Sequence, residues 1–385
     1  MERQEALQTF EAGFGQKATH VCSAAGRINV IGEHVDYCGG KVFPAALNLR
    51  CTVYARRNGL QQIRILLRGI PEMIVLDVNA LDSYRELKLG NYQAGVAYFL
   101  QEQGVEIIGC DLYYDCTVPF GSGLSSSAAI EVATAVTLCE LVGAPYDKVE
   151  IAKLAQKAEN EYAGVNCGIM DQFAAAMGKK NCAVLLDCAT LDYEYVPLEL
   201  GEYSLVVANC NKPHNLVESK YNIRRQEVET ALKAIRAVKD IDCLAQLSPK
   251  QFNELKYLLS GVIVKRAQHV VEECQRVHAA VEALKAGDIV ELGRLLNESH
   301  YSLRDLYEVT GKELDTLSAL ARKEKACLGA RMIGAGFGGC IIAIVEKSAV
   351  DGFIKRVGAA YYETIGYKAA FYETSIEDGI IVERL

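Results

Sequence analysis

The sequence lacks the features that usually identify membrane-spanning, secreted and zinc-binding proteins. No apolar run approaches the roughly 18 residues that a transmembrane helix needs. The N-terminus, MERQEALQTF, has no basic segment followed by an apolar one, so we expect no signal peptide. The 14 cysteines form no C-x-x-C and the 6 histidines no H-E-x-x-H, which disfavours zinc. We therefore expect a cytoplasmic protein whose cysteines are buried, reduced thiols.

An excess of positive charge is also missing. The chain has 41 Lys+Arg against 49 Asp+Glu, a net charge of −8, which disfavours nucleic acid and anionic membranes as partners. Its 50% hydrophobic and 23% charged residues are typical of an ordinary globular protein with a sizeable core. A length of 385 residues favours two domains, and we find no internal repeat.

Segments typical of strands and helices mix along the chain, which predicts an α+β fold. Turn-punctuated, β-rich runs predict an antiparallel sheet from residues 51–56, 63–68 and 73–78. Residues 128–142 have the pattern of a buried helix, and residues 221–325 are mostly helical in pattern. A new apolar strand begins near residue 204, so we predict domains of residues 1–200 and 201–385.

The stretch VPFGSGLSSSAAI, residues 118–130, follows a predicted strand and leads into a predicted helix. Backbone N–H groups and the helix dipole then converge on one point, as in a phosphate site. The loop is not a Walker A motif, because no lysine or arginine occurs from Asp111 to Asp147. A simple turn capped by serine is the alternative. A serine hydroxyl can also bind Mg²⁺, which would supply the missing positive charge.

A second glycine-rich loop, GAGFGG at residues 334–339, formally satisfies G-x-G-x-x-G. A dinucleotide-binding fingerprint requires a helix after the glycines. Here the strand-like run CIIAIV follows, so that interpretation fails. The loop either packs closely against a ligand or simply turns the chain.

Two further stretches concentrate polar groups. Residues 26–40, GRINVIGEHVDYCGG, bring acidic, basic and amide side chains together, as recognition of a polyhydroxylated ligand requires, although a solvated loop is the alternative. Asp171 lies in the apolar setting CGIMDQF, where a carboxylate needs a partner, in either a structural ion pair or a catalytic site. Helical spacing predicts that Glu159 points inward and that Glu161 pairs with Lys157 at the surface.

Together these motifs resemble those of the GHMP small-molecule kinases, and within them the galactokinases. GRINVIGEHVDY resembles the galactokinase sugar signature, PFGSGLSSSAA the ATP loop, and GAGFGGC the third family motif. The stretches SKYNIRRQE and SHYSLRDLYEVTGKELD also match. The resemblance implies a two-domain α+β fold, with an S5-like N-terminal domain, a ferredoxin-like C-terminal domain and the active site between them.

The resemblance also implies roles for individual residues. Arg27 and Asp171 match the pair beside the anomeric hydroxyl of the sugar. Sugar-binding positions are matched by Glu33, His34, Val35, Asp36, Gly168 and Tyr221. The ATP phosphate loop is matched by Gly121, Ser122, Gly123, Leu124, Ser125, Ser126 and Ser127. Mg²⁺ ligands are matched by Ser127 and Glu159. One departure lies beside the sugar signature, where Cys38 replaces a common asparagine.

The implied reaction transfers the γ-phosphoryl group of ATP to the C1 hydroxyl of D-galactose, for galactose catabolism. Asp171 would accept or orient the hydroxyl proton, while Arg27 stabilises the carboxylate and the transferring phosphoryl group. Two alternatives stay open: a kinase for a related sugar such as N-acetylgalactosamine, and a non-catalytic sensor of galactose and ATP. The intact SSSA segment, residues 125–128, favours an active enzyme, which we expect to be a monomer.

Overall fold

The computed structural model describes residues 3–212 and 217–385. These residues form helices α1 (Arg3–Phe14), α2 (Asn91–Glu102), α3 (Ser126–Val142), α4 (Lys148–Lys157), α5 (Met170–Met177), α6 (Val217–Arg236), α7 (Pro249–Leu255), α8 (Val262–Lys285), α9 (Ile289–Ser302), α10 (Lys312–Lys323) and α11 (Val350–Ile365). The strands are β1 (His20–Asn29), β2 (Lys41–Val42), β3 (Pro44–Arg57), β4 (Gln62–Leu67), β5 (Ile70–Asp77), β6 (Cys110–Cys116), β7 (Cys182–Asp187), β8 (Tyr193–Pro197), β9 (Tyr203–Asn209), β10 (Cys327–Ile333), β11 (Cys340–Glu346), β12 (Ala370–Thr374) and β13 (Ile381–Arg384).

The first sheet has the strand order β13-β1-β3-β6-β4-β5. The three predicted strands all join this sheet, but the sheet is mixed rather than antiparallel, because β6 lies between β3 and β4 and pairs with β4 in parallel. The reason lies in the connection, since β5 and α2 separate the two strands in sequence and bring the chain back to the same end of the sheet. Helix α3 packs against β1 and β3, and 13 of its 17 residues are buried. It is therefore the central helix of this half, which explains its apolar sequence.

A second sheet, with the order β10-β11-β9-β12, is antiparallel throughout. Helices α9 and α10 pack on β10, and α10 also packs on α11. A small third sheet joins β2, β7 and β8. The predicted helical region is confirmed by α6 to α10, and the predicted strand after the second glycine loop is confirmed by β11.

The end of α4 departs from regular helix. Asp147 caps the start of the helix, where its side chain accepts from the backbone N–H groups of Val149 and Glu150. The helical path continues beyond Lys157, but this last turn, Ala158–Tyr162, is π-helical. Such turns often occur at functional sites because they re-aim a side chain without ending the helix. Glu159 is buried, as predicted from its helical face.

The last strand crosses between the two halves of the chain. β13 pairs with β1 in the first sheet, so the C-terminus returns to the N-terminal half. The boundary near residue 200 stays a prediction, and this pairing means that residues 381–384 contribute to the N-terminal sheet. All 14 cysteines are free thiols, and in the described part of the chain no helix is long and apolar enough to cross a membrane.

Candidate active site

A cavity of about 180 Å³ lies where the two halves of the chain meet. Its wall combines β1, the turn after β1, the π-helical turn, the start of α5, the start of α6 and the loop after β10. The lining residues are Arg27, Glu33, His34, Asp36, Tyr37, Glu159, Gly164, Val165, Cys167, Gly168, Met170, Asp171, Tyr221, Asn222, Gly334 and Ala335. Nearly all residues predicted to contact the sugar therefore lie in one wall.

Arg27 and Asp171 form a two-bond ion pair in this wall. The Nε and Nη2 atoms of Arg27 donate to Oδ1 and Oδ2 of Asp171, each at 2.9 Å. The Arg27 side chain is 3% exposed and that of Asp171 is 28% exposed, so only the carboxylate faces the cavity openly. A paired, forked geometry of this kind fixes the orientation of the carboxylate as well as its charge.

A β-bulge places Arg27 beside the predicted phosphate loop, residues 121–127. The register of β1 against β3 shifts between Ala25 and Arg27, and bulges of this kind re-aim side chains near functional sites. At the bulge, a Cβ on Gly26 would lie 2.9 Å from the carbonyl oxygen of Leu124. The missing side chain lets the loop approach, and the Arg27 backbone N–H donates to that carbonyl at 3.0 Å. The Arg27 side chain also donates to the carbonyl of Gly123.

The serines of the phosphate loop have separate partners. Ser122 Oγ donates to the carbonyl of Pro119 at 2.6 Å, which closes the turn. Ser125 has a left-handed φ of 62° and stands at the N-cap of α3, but its side chain makes no capping bond. Instead, Ser125 Oγ donates to Oδ2 of Asp171 at 2.6 Å. The alternative of a turn with a serine cap therefore does not describe Ser125, and the first N–H groups of α3 have no cap from it.

The second glycine loop packs directly on the phosphate loop. A Cβ on Gly334 would lie 2.9 Å from the carbonyl oxygen of Gly123, and one on Gly339 would lie 2.7 Å from that of Ser122. Both glycines have φ near 80°, in the region that disfavours side chains. The GAGFGG loop is thus a close backbone contact that supports the phosphate loop, and its residues Gly334 and Ala335 also line the cavity.

Glu33 is buried and accepts three hydrogen bonds from the protein. Its Oε2 accepts from Asn29 Nδ2 and from Arg331 Nη2, each at 2.7 Å, and its Oε1 accepts from the backbone N–H of Gly334. Arg331 comes from β10, so the sugar signature is tied to the C-terminal half through one carboxylate. Glu33 fixes the relative placement of the signature turn and the second glycine loop.

His34 lies among aromatic rings, with Tyr221 and Tyr307 centred 5.6 and 4.8 Å from its own ring. Its Nε2 lies 3.2 Å from the carbonyl of Ala335 and must therefore donate, so Nδ1 accepts from Tyr37 Oη at 2.8 Å. Burial lowers the pKa of His34 to about 3, which keeps the imidazole neutral. A neutral, ring-enclosed imidazole gives this side of the cavity a fixed polar and aromatic surface.

Asp36 and Gly168 touch across the cavity. A Cβ on Gly168 would lie 1.9 Å from Oδ2 of Asp36, so this position accommodates no side chain while Asp36 keeps its place. Burial, with the neighbouring Asp171 carboxylate, raises the pKa of Asp36 to about 7. Val35 differs from its predicted neighbours, since it is fully buried and does not line the cavity. A sugar contact by the Val35 side chain is therefore not supported.

A buried carboxyl cluster lies behind Asp171. The Ser127 hydroxyl hydrogen-bonds to Glu159, and burial raises the pKa of Glu159 to about 7. Gln172 Nε2 bridges Oε2 of Glu159 at 2.5 Å and Oε2 of Glu131 at 3.2 Å. Oε1 of Glu131 and Oε1 of Gln172 are buried without partners, so the cluster has acceptor capacity that the protein leaves unused. Hard oxygen donors of this type suit Mg²⁺.

A second, apolar cavity of about 300 Å³ adjoins the other side of the phosphate loop, and sequence reasoning missed it. Phe120, which is 72% exposed, stands at its edge immediately before Gly121. Its wall also includes Leu67, Ile70, Leu89, Tyr92, Tyr114 and Ile130. Leu89 and Phe120 can be read from the sequence, but only the fold shows that they line the same cavity.

Protein families and known proteins match this chain over the segments that carry the site. Family models match the chain over residues 91–179 (GHMP kinases N terminal domain), 8–57 (galactokinase galactose-binding signature) and 280–363 (GHMP kinases C terminal). The galactokinases of Clostridium tetani (strain Massachusetts / E88) and Lactobacillus helveticus are each 45% identical to it, over 98% of this chain and over 97% and 99% of their own lengths.

Solved structures give the same result. Lactococcus lactis galactokinase complexed with galactose has a TM-score of 0.95 and 42% identity to this chain, with 99% of each chain covered. A mevalonate kinase structure has a TM-score of 0.68 at 17% identity, covering 93% of this chain and 99% of its own, which indicates a shared fold alone. The predicted two-domain α+β GHMP kinase fold is confirmed.

Proposed function

The chain belongs to the galactokinase family of the GHMP kinases, and we propose that Arg27 and Asp171 are its catalytic pair. The reaction transfers the γ-phosphoryl group of ATP to the C1 hydroxyl of D-galactose and gives galactose 1-phosphate and ADP. One observation carries the residue assignment: the two-bond Arg27–Asp171 pair stands where the sugar cavity meets the phosphate loop.

Asp171 acts on the hydroxyl of the sugar. Its carboxylate accepts two bonds from Arg27 and one from Ser125, so its position is fixed before substrate arrives. The exposed part of the carboxylate accepts the proton of the C1 hydroxyl as the oxygen attacks the γ-phosphorus and the bond to ADP breaks. Arg27 stabilises the carboxylate and the negative charge of the transferring group. Alignment and charge stabilisation of this kind account for most of the catalysis in phosphoryl transfer.

The nucleotide occupies the side of the phosphate loop that faces away from the sugar cavity. The uncapped N-terminus of α3 and the backbone N–H groups of residues 121–127 receive the phosphates, which explains how the loop functions without a lysine. The apolar cavity beside Phe120 receives the adenine base, because flat aromatic rings bind in such cavities with little polar recognition. We place the protein in the cytoplasm, where ATP is available and thiols stay reduced.

Ser127 and Glu159 are the residues that would hold Mg²⁺. The unused acceptor oxygens of Glu131 and Gln172 beside them fit a site that carries positive charge when the enzyme is loaded. The bound ion would neutralise phosphate charge beside the loop. Within the described residues, no group of three histidine, cysteine or carboxylate side chains is arranged to hold a metal ion. The phosphates of the nucleotide would therefore have to supply the remaining ligands.

The sugar lies between the signature turn and α6. Polar groups of Glu33, His34 and Asp36 line its cavity, together with the ring of Tyr221, which packs beside His34. Gly168 leaves the space in which Asp36 and a hydroxyl group meet. Proteins commonly bind a polyhydroxylated ring with a few placed hydrogen-bonding groups beside an aromatic surface.

A coupled ADP-release assay across galactose, N-acetylgalactosamine, glucose and mevalonate tests the proposed substrate. We expect galactose to give the highest kcat/KM. A higher value for another acceptor would contradict it. Galactose and ATP binding by calorimetry without any ADP release would show a sensor instead.

A further inference from the structure

The turn after β1 is conformationally costly. Gly32 has φ of 102° and His34 has φ of 60°, so the residues on both sides of Glu33 lie in the left-handed region. A non-glycine residue there costs about 1–3 kcal/mol and persists only where the surroundings hold it. The turn carries Glu33, His34 and Asp36 into the sugar cavity, so whatever holds its backbone also sets the geometry of the sugar site.

Helix α8 from the C-terminal half holds both main-chain groups of Glu33. Oε1 of Glu273 accepts the backbone N–H groups of Gly32 at 3.0 Å and of Glu33 at 3.3 Å. One helical turn earlier, Nε2 of His269 lies 3.0 Å from the carbonyl of Glu33. Since a carbonyl only accepts, His269 Nε2 is the donor. Two side chains four residues apart on one helix face thus clamp a single peptide segment.

The clamp is itself held rigidly. Glu273 is fully buried, and it also accepts from Ser299 Oγ at 2.6 Å and from Arg276 Nε at 2.7 Å. Burial alone would raise the pKa of Glu273, but Arg276 and the bond from Ser299 bring it to about 2, so the group stays a carboxylate. His269 Nδ1 accepts from Ser302 Oγ at 2.8 Å, which fixes its tautomer. Burial lowers the pKa of His269 to about 4, so it is neutral.

We propose that His269 and Glu273 are positioning residues for the sugar site, which act by holding the Glu33 backbone and thereby the turn that presents Glu33, His34 and Asp36. Neither side chain lines the sugar cavity, and neither contacts the phosphate loop in the described part of the chain. Their loss therefore acts more strongly on sugar binding than on ATP binding, which it reaches only through the bond from Gly334 to Glu33. The inference rests on the proposed galactose site.

The test compares Glu273→Ala, Glu273→Gln and the matched control Glu272→Gln. Glu272 is the neighbouring carboxylate on α8, and its bonds go to Gln268 and Arg276 and not to the turn. Glu273→Ala should raise the galactose KM by about 10- to 100-fold, the cost of displacing binding groups by about 1 Å, and raise the ATP KM by much less.

The conservative variant separates positioning from general stability. Glu273→Gln keeps an amide oxygen for Gly32 and Glu33 but loses the ion pair with Arg276. Its Tm should fall while its galactose KM stays within about threefold of wild type. The control Glu272→Gln should keep both KM values. Equal increases of both KM values in Glu273→Ala, or a galactose KM in Glu273→Gln as high as in Glu273→Ala, would overturn the proposal.

His269→Leu provides a second measurement if Glu273→Ala does not fold. It removes the donor to the Glu33 carbonyl and should also raise the galactose KM selectively. An unchanged galactose KM in a folded His269→Leu protein would overturn the proposal. Failure of the underlying function is distinguishable, since wild type and Glu272→Gln would then fail to phosphorylate galactose at all.

Discussion

Replacing Gly168 by alanine should damage sugar binding selectively, because the new methyl group would take the place of the Asp36 side chain. The added Cβ would lie 1.9 Å from Oδ2, 2.4 Å from Cγ and 3.1 Å from Cβ of Asp36. Ordinary contact begins near 3.4 Å, so Cγ must retreat by about 1 Å. The close Cβ–Cβ contact means that rotation of the Asp36 side chain alone does not relieve the overlap.

A displacement of about 1 Å in a binding group can cost on the order of 100-fold. We expect Gly168→Ala to raise the galactose KM by about 10- to 100-fold on that basis and to leave the ATP KM within about twofold. The assay is steady-state ADP release with each substrate varied, together with a thermal melt.

Gly352→Ala provides the matched control. Gly352 lies in α11, where the added Cβ would meet the guanidinium end of the long Arg356 side chain, at 2.8 Å from Nη1, and no backbone from another part of the described chain. Alanine favours helix there, so both KM values should stay at wild type. A folded Gly168→Ala enzyme with a normal galactose KM would refute the placement of Asp36 at the sugar.

Three further changes separate the other subsites. Ser127→Ala should raise the KM for Mg²⁺·ATP about tenfold, the effect of losing one charge-assisted contact. Its galactose affinity, measured by calorimetry without nucleotide, should stay normal. An equal loss of galactose affinity would count against the metal role. Phe120→Ala should raise the ATP KM roughly fivefold, the low end for loss of base stacking, and an unchanged ATP KM would remove adenine from the apolar cavity. Asp36→Asn should stabilise the ligand-free protein more at pH 8 than at pH 5. The pKa of Asp36 is about 7 when folded and about 3.9 when unfolded, so its ionisation destabilises the native state increasingly as pH rises between these values. Thermal melts at the two pH values check the sign, and a larger gain at pH 5 would contradict it.

The sequence predicted best what depends on local pattern. The buried helix α3, the inward Glu159 and the strand after GAGFGG all follow from residue spacing and apolar pattern. The proposed catalytic pair required the family resemblance, because Arg27 and Asp171 lie 144 positions apart and no local pattern joins them.

Contacts that depend on tertiary packing were not predictable in this way. The bond from Ser125 to Asp171 replaces a capping bond that local chemistry favours, and only the placement of α5 decides between them. The π-helical turn at Glu159 has no distinct sequence signal. The clamp by Glu273 joins residues about 240 positions apart, so its carboxylate resembled any other on a helix rich in charge.

The turnover of Asp171→Asn with galactose is the most direct test of the Arg27–Asp171 assignment. The amide keeps the shape of the side chain but removes the proton acceptor, and loss of a general base costs about 10²–10⁴-fold in kcat. Arg27→Ala should cost a comparable factor, and the double variant should be little worse than the poorer single one, because the two residues act as a unit. A folded Asp171→Asn enzyme that loses less than about threefold in kcat, far less than that expected loss, would contradict the account. The pair would then have a structural role only.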